Sequence, residues 1–253
     1  MDDRFLMETV AMAGQIMLAS GAEVYRVEET MKYMLSKSSY PVAEALALGT
    51  GLFVTLDDPE RDTMTISRRV PSRSNNLNRI CAVNEISRKF CSGQMSIEQA
   101  NEELKAIEKD RVYTSLWQAI GIIGVSAFFA PIFGGGMLDI VAAGMVGVCH
   151  AVVDNMIKKI KLNDFITNAF NAFMIAFAAT MIHKYILPMC NTDTVIISSI
   201  MPLVPGGTFT TSIRDTLNGD YTAGLSRLLE AVVCALAIAA GVGFSFVFWR
   251  WLV

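Results

Sequence analysis

Five long apolar stretches fill the C-terminal half of the chain. They run over residues 113–133, 137–157, 165–187, 194–212 and 224–249. Each is close to the ~20 residues that an α-helix needs to cross the ~30 Å hydrocarbon core of a bilayer. A single stretch of this kind also occurs as a buried helix in soluble proteins. Five in series predict an α-helical polytopic membrane protein that lies in a lipid bilayer.

Charged side chains divide the chain into two parts that meet near Arg111. Residues 1–111 hold 31 of the 45 charged side chains, although 53% of the whole chain is hydrophobic. The sequence therefore predicts a soluble domain over residues 1–111 and a transmembrane domain over residues 112–253. The net charge of −3 includes no basic tract with interleaved aromatic residues, which argues against nucleic-acid binding.

Helical and extended patterns both occur within residues 1–111. Apolar residues recur at helical spacing in four segments, at about 5–18, 23–37, 76–91 and 96–109. The apolar run 52–56 and the alternating run 63–68 predict two strands of a hairpin. Ser96 followed by Gln99 is typical of an N-terminal capping box. Together these patterns predict an N-terminal α+β domain.

Basic residues between the apolar stretches indicate an orientation. Lys158, Lys159 and Lys161 form the densest basic cluster outside the soluble domain, between the second and third stretches. Because cytoplasmic loops carry an excess of Lys and Arg, we expect this loop in the cytoplasm. The N-terminal domain lies two crossings earlier and is therefore also expected in the cytoplasm. Its acidic beginning does not resemble a secretory signal.

The fourth apolar stretch is the least suited to lipid. Pro202, Pro205, Gly206 and Gly207 fall within six residues and are followed by Thr208, so a helix should break there. Backbone groups freed at membrane depth must be satisfied by protein, by water or by a solute in a cavity. Secondary transporters hold substrates at broken helices of this kind. The alternative is a structural kink whose freed groups are satisfied by neighbouring Ser and Thr side chains.

Five charged residues follow this break, at Arg214, Asp215, Asp220, Arg227 and Glu230. Charges at the start of an apolar helix are costly and by default indicate a solute or proton pathway that faces the bundle interior. The spacing of Arg227 and Glu230 allows a pair on one helix face. The alternative is an ion pair at the membrane interface with a snorkelling arginine.

The remaining polar residues give weaker signals. His150 lies within the second stretch, four residues before Asp154, so a protonatable pair is one interpretation. A hydrogen-bonded polar side chain between packed helices is the interpretation that the sequence favours. The chain contains no metal-ligand spacing and no catalytic constellation. We therefore expect no enzyme activity, no metal and no cofactor.

Several short motifs, taken in order, resemble those of a known family. They are Gly21-Ala22-Glu23, Arg26-Val27-Glu28-Glu29, the segment 201–207, Arg214-Asp215, Gly219-Asp220, Gly224, Arg227 and Glu230. In this order and spacing the sequence resembles the threonine/serine exporter family of bacterial inner-membrane proteins. The resemblance covers nearly the whole chain.

This resemblance implies a function and a partner. Full-length members have more spans than this chain, which therefore looks like the large subunit of the split form that works with a separate small multi-span membrane protein. One split pair of the family is assigned succinate export. The resemblance implies efflux of a small polar solute, either an amino acid such as threonine or serine or a dicarboxylate such as succinate, driven by the proton gradient across the inner membrane.

Two functional hypotheses follow from the sequence. In the first, the chain is a subunit of a secondary exporter, and the broken fourth span together with the five charged residues forms or gates the solute path. In the second, it is a membrane-anchored assembly or sensory protein whose soluble domain binds a ligand or partner. A homo-oligomer is compatible with either hypothesis.

Overall fold

The computed structural model describes residues 2–70, 74–109, 113–160 and 162–252. The sequence-based boundary at Arg111 and the basic residue Lys161 lie outside these described residues. The chain forms two compact units. The first contains Met1–Val112 together with Gly206–Glu230, and the second contains Tyr113–Pro205 together with Ala231–Val253.

The described residues contain both helices and strands. The helices are α1 (Asp3–Ala19), α2 (Val24–Leu35), α3 (Leu77–Cys91), α4 (Ile97–Lys109), α5 (Ser115–Ile132), α6 (Met137–Ile157), α7 (Asp164–Tyr185), α8 (Thr192–Ile200), α9 (Gly206–Leu217) and α10 (Tyr221–Leu252). The strands are β1 (Val42–Leu48), β2 (Gly51–Asp58) and β3 (Arg61–Arg69). A short 3-10 helix, Met201–Leu203, follows α8.

Side chains cap the starts of α3 and α4 in the first unit. Asn76 accepts a hydrogen bond from the amide of Arg79 at the start of α3. At the start of α4 the Ser96 amide donates to Gln99 Oε1 at 3.0 Å, and the Gln99 amide donates to Ser96 Oγ at 3.3 Å. The predicted capping box is therefore confirmed. Each such bond satisfies a backbone donor that the first helical turn leaves without an intrahelical partner.

The strands form one antiparallel sheet in the order β1-β2-β3. The sequence predicted β2 and β3, but it missed β1. Ala45 and Ala47 of β1 face the core, whereas Leu46 and Leu48 are exposed. Apart from Glu44, the strand is therefore apolar on both faces, so its sequence lacks the regular alternation that identifies a half-buried strand.

The core of the first unit lies between the α1 and α2 helices and one face of the sheet. Fully enclosed side chains come from all three elements. They include Leu6, Val10 and Met17 of α1, Val27 and Met31 of α2, and Leu52, Val54 and Leu56 of β2. Burying a side chain of this size stabilises the fold by roughly 1.5–3 kcal/mol, so this cluster holds the unit together.

The second unit has small residues inside and large apolar residues outside. Helix α5 buries Ser126 and Ala130 but exposes Trp117, Phe128 and Ile132. The interior of the unit is also rich in alanine, with Ala142, Ala143, Ala172, Ala176 and Ala179 fully buried. Small residues at helix contacts and large apolar residues on the outer surface are typical of helices packed in lipid.

Four described helices are long and apolar enough to cross a membrane, namely α5, α6, α7 and α10. A fifth span results if the broken pair Thr192–Leu203 and Gly206–Leu217 is counted as one. The predicted helix break is confirmed, because the 3-10 helix ends at Leu203 and α9 begins at Gly206. Helix α10 is longer than the predicted 224–249, and its residues up to Glu230 belong to the first unit.

Candidate functional site

Three of the charged residues that the sequence singled out meet in the first unit. Arg214 and Asp215 lie on α9, and Arg227 lies on the following helix, α10. All three contact the turn that joins α1 to α2, where Glu23 supplies a fourth charge. We call Glu23, Arg214, Asp215 and Arg227 the ion-pair cluster.

Asp215 and Arg227 form the enclosed half of the cluster. Arg227 Nε lies 3.1 Å from Asp215 Oδ2, and both side chains are almost completely buried. The sequence suggested that Arg227 could pair with Glu230, but the structure pairs it with Asp215, while Glu230 is exposed. A buried charge without its counter-charge is strongly destabilising, so the two residues depend on each other.

The guanidinium of Arg227 also binds the backbone of the turn between α1 and α2. Its Nη2 donates to the carbonyl of Ala22 at 2.6 Å, and its Nη1 donates to the carbonyl of Gly21 at 3.3 Å. Gly21 has φ +86°, and a Cβ there would lie 2.8 Å from Asn75 Oδ1. The turn that presents these carbonyls therefore requires glycine at position 21.

Asp215 caps helix α2. The amide of Val24, the first residue of α2, donates to Asp215 Oδ1 at 3.1 Å. Glu23 occupies the N-cap position of α2, but its side chain makes no capping hydrogen bond. A carboxylate is favourable at a helix N-terminus, where backbone amides without partners carry partial positive charge.

Glu23 pairs with Arg214 at the edge of the cluster. Arg214 Nη1 lies 2.6 Å from Glu23 Oε1, and the exposed fractions of the two side chains are 62% and 10%. Burial raises the pKa of the Glu23 carboxyl, but hydrogen bonds from Arg214 and Tyr25 and the charge of Arg214 outweigh burial and hold this pKa below its ordinary value. The hydrogen bond to Glu23 raises the pKa of Tyr25.

The two helices that carry the cluster approach each other closely. A Cβ on Gly224 of α10 would lie 2.9 Å from the carbonyl oxygen of Ser212 on α9 and would also collide with Thr216. Ala223, next to it, joins the apolar core of the first unit. Glycine and alanine at these two positions therefore let α9 and the start of α10 pack as a tight hairpin.

The other predicted charge of this hairpin, Asp220, lies in its turn. The Asp220 amide donates to the carbonyl of Asp215, and the Asp220 carbonyl accepts from the amide of Gly224, both at 2.9 Å. Gly219 has φ +92°, a left-handed conformation that favours glycine. Asp220 therefore helps to close the turn through its backbone.

The start of α9 contains the glycines and threonines of the predicted path. Thr210 Oγ1 donates to the carbonyl of Gly206 at 2.8 Å, and Thr211 Oγ1 donates to the carbonyl of Gly207 at 2.9 Å. Gly206 and Gly207 are exposed, and Thr208 is half-buried. Both bonds join residues four apart within α9, so they do not satisfy the backbone amides that the break frees.

In the second unit, Pro205 of the predicted path lines an apolar groove. Pro202 lies in the 3-10 helix, and the amide of Val204 donates to the carbonyl of Met201 at 3.2 Å. This open groove has a volume of about 530 Å³ and lies between residues just before the break and residues of α10. Its lining includes Ile200, Val204, Pro205, Ile238, Val242 and Phe246. A groove with this lining suits apolar groups better than a polar solute.

The sequence missed Glu23 as a site residue. Glu23 belongs to the motif Gly21-Ala22-Glu23, which carried part of the family resemblance, but no spacing rule connects it with Arg214, 191 residues away. Asp139, in the first turn of α6, has a structural role. Its carboxylate accepts from the amides of Gly136 at 2.8 Å and Asn191 at 2.6 Å, at the starts of α6 and α8.

The expectation for His150 is wrong. The sequence favoured a hydrogen-bonded histidine between packed helices, but neither ring nitrogen of the buried His150 has a hydrogen-bond partner among the described residues. The described residues also contain no group of three or more His, Cys, Asp or Glu side chains that could hold a metal ion.

The long apolar helices, with small residues inside the second unit and large apolar residues on its outer surface, define a multi-pass membrane protein. The chain belongs to the threonine/serine exporter family, because the family model described as "Putative threonine/serine exporter" matches residues 8–249. No solved structure matches the chain.

Two curated relatives are similar over nearly the whole chain. A protein of Mycobacterium tuberculosis named "Probable threonine/serine exporter" is 22% identical over 245 residues, which cover 94% of this chain and 45% of the relative. An uncharacterized protein of Schizosaccharomyces pombe is 24% identical over 247 residues, which cover 94% of this chain and 29% of that relative. The chain thus spans less than half the length of these relatives.

Proposed function

We propose that this chain is a subunit of a secondary exporter that moves threonine, serine or a dicarboxylate such as succinate out of the cell. The proposal places it in a bacterial inner membrane, with the N-terminal domain in the cytoplasm and the proton gradient as the driving force. The observation that carries the proposal is the helix break before Gly206, which is followed within nine residues by Arg214 and Asp215. Membership of an exporter family supports the same class of function.

The solute path in this proposal follows the break and the charges after it. The assigned residues are Pro202, Pro205, Gly206, Gly207, Thr208, Arg214, Asp215, Asp220, Arg227 and Glu230. The first five supply backbone groups that a continuous helix would pair in its own hydrogen bonds. The five charged residues gate the path rather than forming a fixed binding cage.

Arg214 is the residue of this set that best fits a carboxylate solute. Its guanidinium is largely exposed, and it already binds a carboxylate, that of Glu23. Guanidinium groups match carboxylates in planar, two-point geometry, and threonine, serine and succinate all carry a carboxylate. In the proposed gate, Arg214 exchanges Glu23 for the solute.

A second polypeptide completes the exporter in this proposal. This part of the proposal follows the resemblance to the split form of the family, and the chain covers 45% of the similar Mycobacterium tuberculosis protein. We propose a separate small multi-span membrane subunit as that partner. Assembly into a homo-oligomer is compatible with this arrangement.

The test is efflux from bacterial cells loaded with threonine, serine or succinate. Cells would carry this chain with the small membrane subunit, this chain alone, or neither. We expect saturable export of one solute when both chains are present, together with a five-fold or greater loss in Arg214→Gln. The matched control is Lys32→Gln, which removes the exposed pair with Glu44 and should leave export unchanged. Absence of export of all three solutes would contradict the proposal.

A membrane-anchored assembly or sensory protein is the second candidate. The observation that favours it is the enclosure of Asp215 and Arg227 by the backbone of residues 21–24, because enclosed ion pairs usually hold structure together. Binding of a solute to the detergent-solubilised full chain, without flux when both chains are present, would favour this candidate over the exporter.

A further inference from the structure

A second group of polar side chains, buried or half-buried, belongs to the second unit. It consists of His150 and Asp154 on α6 and Asn171 on α7, and we call it the histidine cluster. His150 is 2% exposed and Asn171 is 1% exposed. Helix α6 packs against α5, α7 and α8. His150 and Asn171 are enclosed in the unit, whereas Asp154 is half-buried.

Two members of the cluster are buried without being satisfied. Neither Nδ1 nor Nε2 of His150, nor Oδ1 of Asn171, has a hydrogen-bond partner among the described residues. Leaving a polar group buried in this state costs roughly 1–3 kcal/mol. Ionisable groups kept inside membrane bundles at such a cost usually mark an ion or proton pathway.

Asp154 connects the cluster to alternative partners. Its Oδ2 lies 2.6 Å from Lys158 Nζ, and its Oδ1 accepts from Asn171 Nδ2 at 3.5 Å. Lys158 Nζ also lies 3.3 Å from Gln118 Oε1, so the lysine has a second acceptor. Asp154 stands one turn after His150 on the same helix face, where residues four apart are neighbours. The carboxylate can therefore turn to a protonated His150 while Gln118 keeps a bond to Lys158.

Few other titratable groups face His150. Helix α5 carries none, and α8 carries only Asp193, in its first turn. On α7 such groups are confined to Asp164 at the start and to residues 183–185 at the end, whereas Asn171 lies two turns inside. On α6 and at its C-cap, the charged residues that follow His150 at four-residue spacing are Asp154 and Lys158.

We propose that His150 is a reversible proton-binding residue, with Asp154 as the counter-ion of its protonated form and Asn171 as the group that orients Asp154. When His150 takes up a proton, Asp154 pairs with the imidazolium, and Lys158 keeps only its bond to Gln118. When His150 releases the proton, the Asp154–Lys158 pair forms again. The proton-binding property stands by itself. Its use as the coupling step of transport rests on the proposed exporter function.

The chain contains two histidines, which makes protonation directly measurable. In the His183→Gln variant, His150 is the sole source of histidine signals in ¹³C- and ¹⁵N-histidine-labelled protein. The sample is the detergent-solubilised full chain, and its ring resonances are followed from pH 5 to pH 8.5. We expect a reversible titration within this range. Removal of an opposite charge in Asp154→Asn should move the midpoint to lower pH by about 1 unit or more.

Each outcome bears on the proposal. A His150 signal that stays neutral across the range, or a midpoint unmoved by Asp154→Asn, would overturn it. Asn155→Gln is the matched control, because Asn155 is an exposed neighbour on α6 and its change should leave the midpoint in place.

Flux measurements separate this inference from the exporter proposal. In vesicles that contain both subunits, His150→Asn should abolish the dependence of export on an imposed pH gradient while solute counterflow at equal pH continues. Undiminished dependence on the gradient would overturn the coupling role. If the unmodified protein moves no solute but His150 titrates as expected, the exporter proposal fails and proton binding stands.

Discussion

The carboxylate of Asp215 accepts a hydrogen bond from the amide of Val24 across 191 residues of sequence. Helix α2 therefore begins against a side chain that belongs to a distant helix hairpin. The same carboxylate is the counter-ion of Arg227, which in turn binds the carbonyls of Gly21 and Ala22. One buried ion pair thus satisfies both the first amide of α2 and the turn before it.

Removing one partner of the Asp215–Arg227 pair should strongly destabilise the folded protein. In Asp215→Ala the guanidinium of Arg227 stays buried without its counter-charge, and α2 loses its cap. We expect a loss of about 3 to 5 kcal/mol in the free energy of unfolding. Temperature-resolved size-exclusion chromatography of the solubilised protein would detect this loss as a lower midpoint. The double variant Asp215→Ala with Arg227→Met should recover part of it, and a double variant no more stable than the single would contradict the pairing.

The control for this experiment is the exposed pair Lys32–Glu44. Both side chains are at least half exposed, so water already screens their attraction. Glu44→Gln should change the free energy of unfolding by no more than about 1 kcal/mol. Equal losses of unfolding free energy in Asp215→Ala and Glu44→Gln would show that burial does not make the Asp215–Arg227 pair more important for stability than an exposed pair.

The pair between Glu23 and Arg214 should show a measurable but smaller coupling. Since Arg214 is largely exposed, a double-mutant cycle with Glu23→Gln and Arg214→Gln should give a coupling of about 0.5 to 1 kcal/mol. A cycle that gives zero would contradict a direct ion pair. The reversed pair, Glu23→Arg with Arg214→Glu, should be more stable than either reversal alone.

Glu23 should also make stability depend on pH. Its pKa in the folded protein lies below the ordinary value of 4.5, so the folded state holds this proton less tightly than the unfolded state. The stabilisation is therefore fully present above about pH 4.5 and is lost as the pH falls through the folded pKa. Unfolding midpoints measured between pH 3 and pH 7 should fall less steeply at the acidic end in Glu23→Gln. Identical profiles would argue against a lowered pKa.

Gly21 and Gly93 offer a matched pair of glycines. Both have positive φ, +86° and +79°, but a Cβ on Gly21 would lie 2.8 Å from Asn75 Oδ1, whereas Gly93 has open space around it. Gly93→Ala should cost about 1 kcal/mol from backbone strain alone. Gly21→Ala should cost more, because Asn75 must also move and the carbonyl that Arg227 binds shifts. Equal costs in the two variants would count against the crowded turn.

Gly224 tests the tight packing of α9 on α10. In Gly224→Val the side chain would collide with Thr216 and the Ser212 carbonyl, so we expect a loss of about 1 to 3 kcal/mol in unfolding free energy. Gly243→Val is the control, since Gly243 lies on the same helix with nothing close to its missing Cβ. A similar effect of both changes would assign the loss to the helix propensity of valine instead of to crowding.

Local patterns in the sequence predicted most of the helices. Apolar periodicity and the Ser96–Gln99 capping box each involve residues that are close in the sequence, so their outcome depends little on the rest of the chain. The break before Gly206 is local in the same sense, because proline and glycine act on their own backbone. Strand β1 was not predicted because, apart from Glu44, it is apolar on both faces.

The ion-pair cluster could be predicted only in part. Charge in an apolar setting singled out Arg214, Asp215 and Arg227, but the cost of burying a charge does not identify its partner. Arg227 pairs with Asp215 twelve residues before it, although Glu230 offered a closer spacing. Glu23 is joined to Arg214 by the fold alone, and a single sequence holds no information on that contact.

The capping of α2 by Asp215 places the two ends of one structural unit far apart in time as well as in sequence. At a synthesis rate of about 5 to 20 residues per second, roughly 10 to 40 seconds separate Val24 from Asp215 on the ribosome. During this interval Tyr113–Pro205, the larger segment of the other unit, is made. Until Asp215 has been synthesised, the first amide of α2 therefore lacks the side chain that caps it in the folded protein.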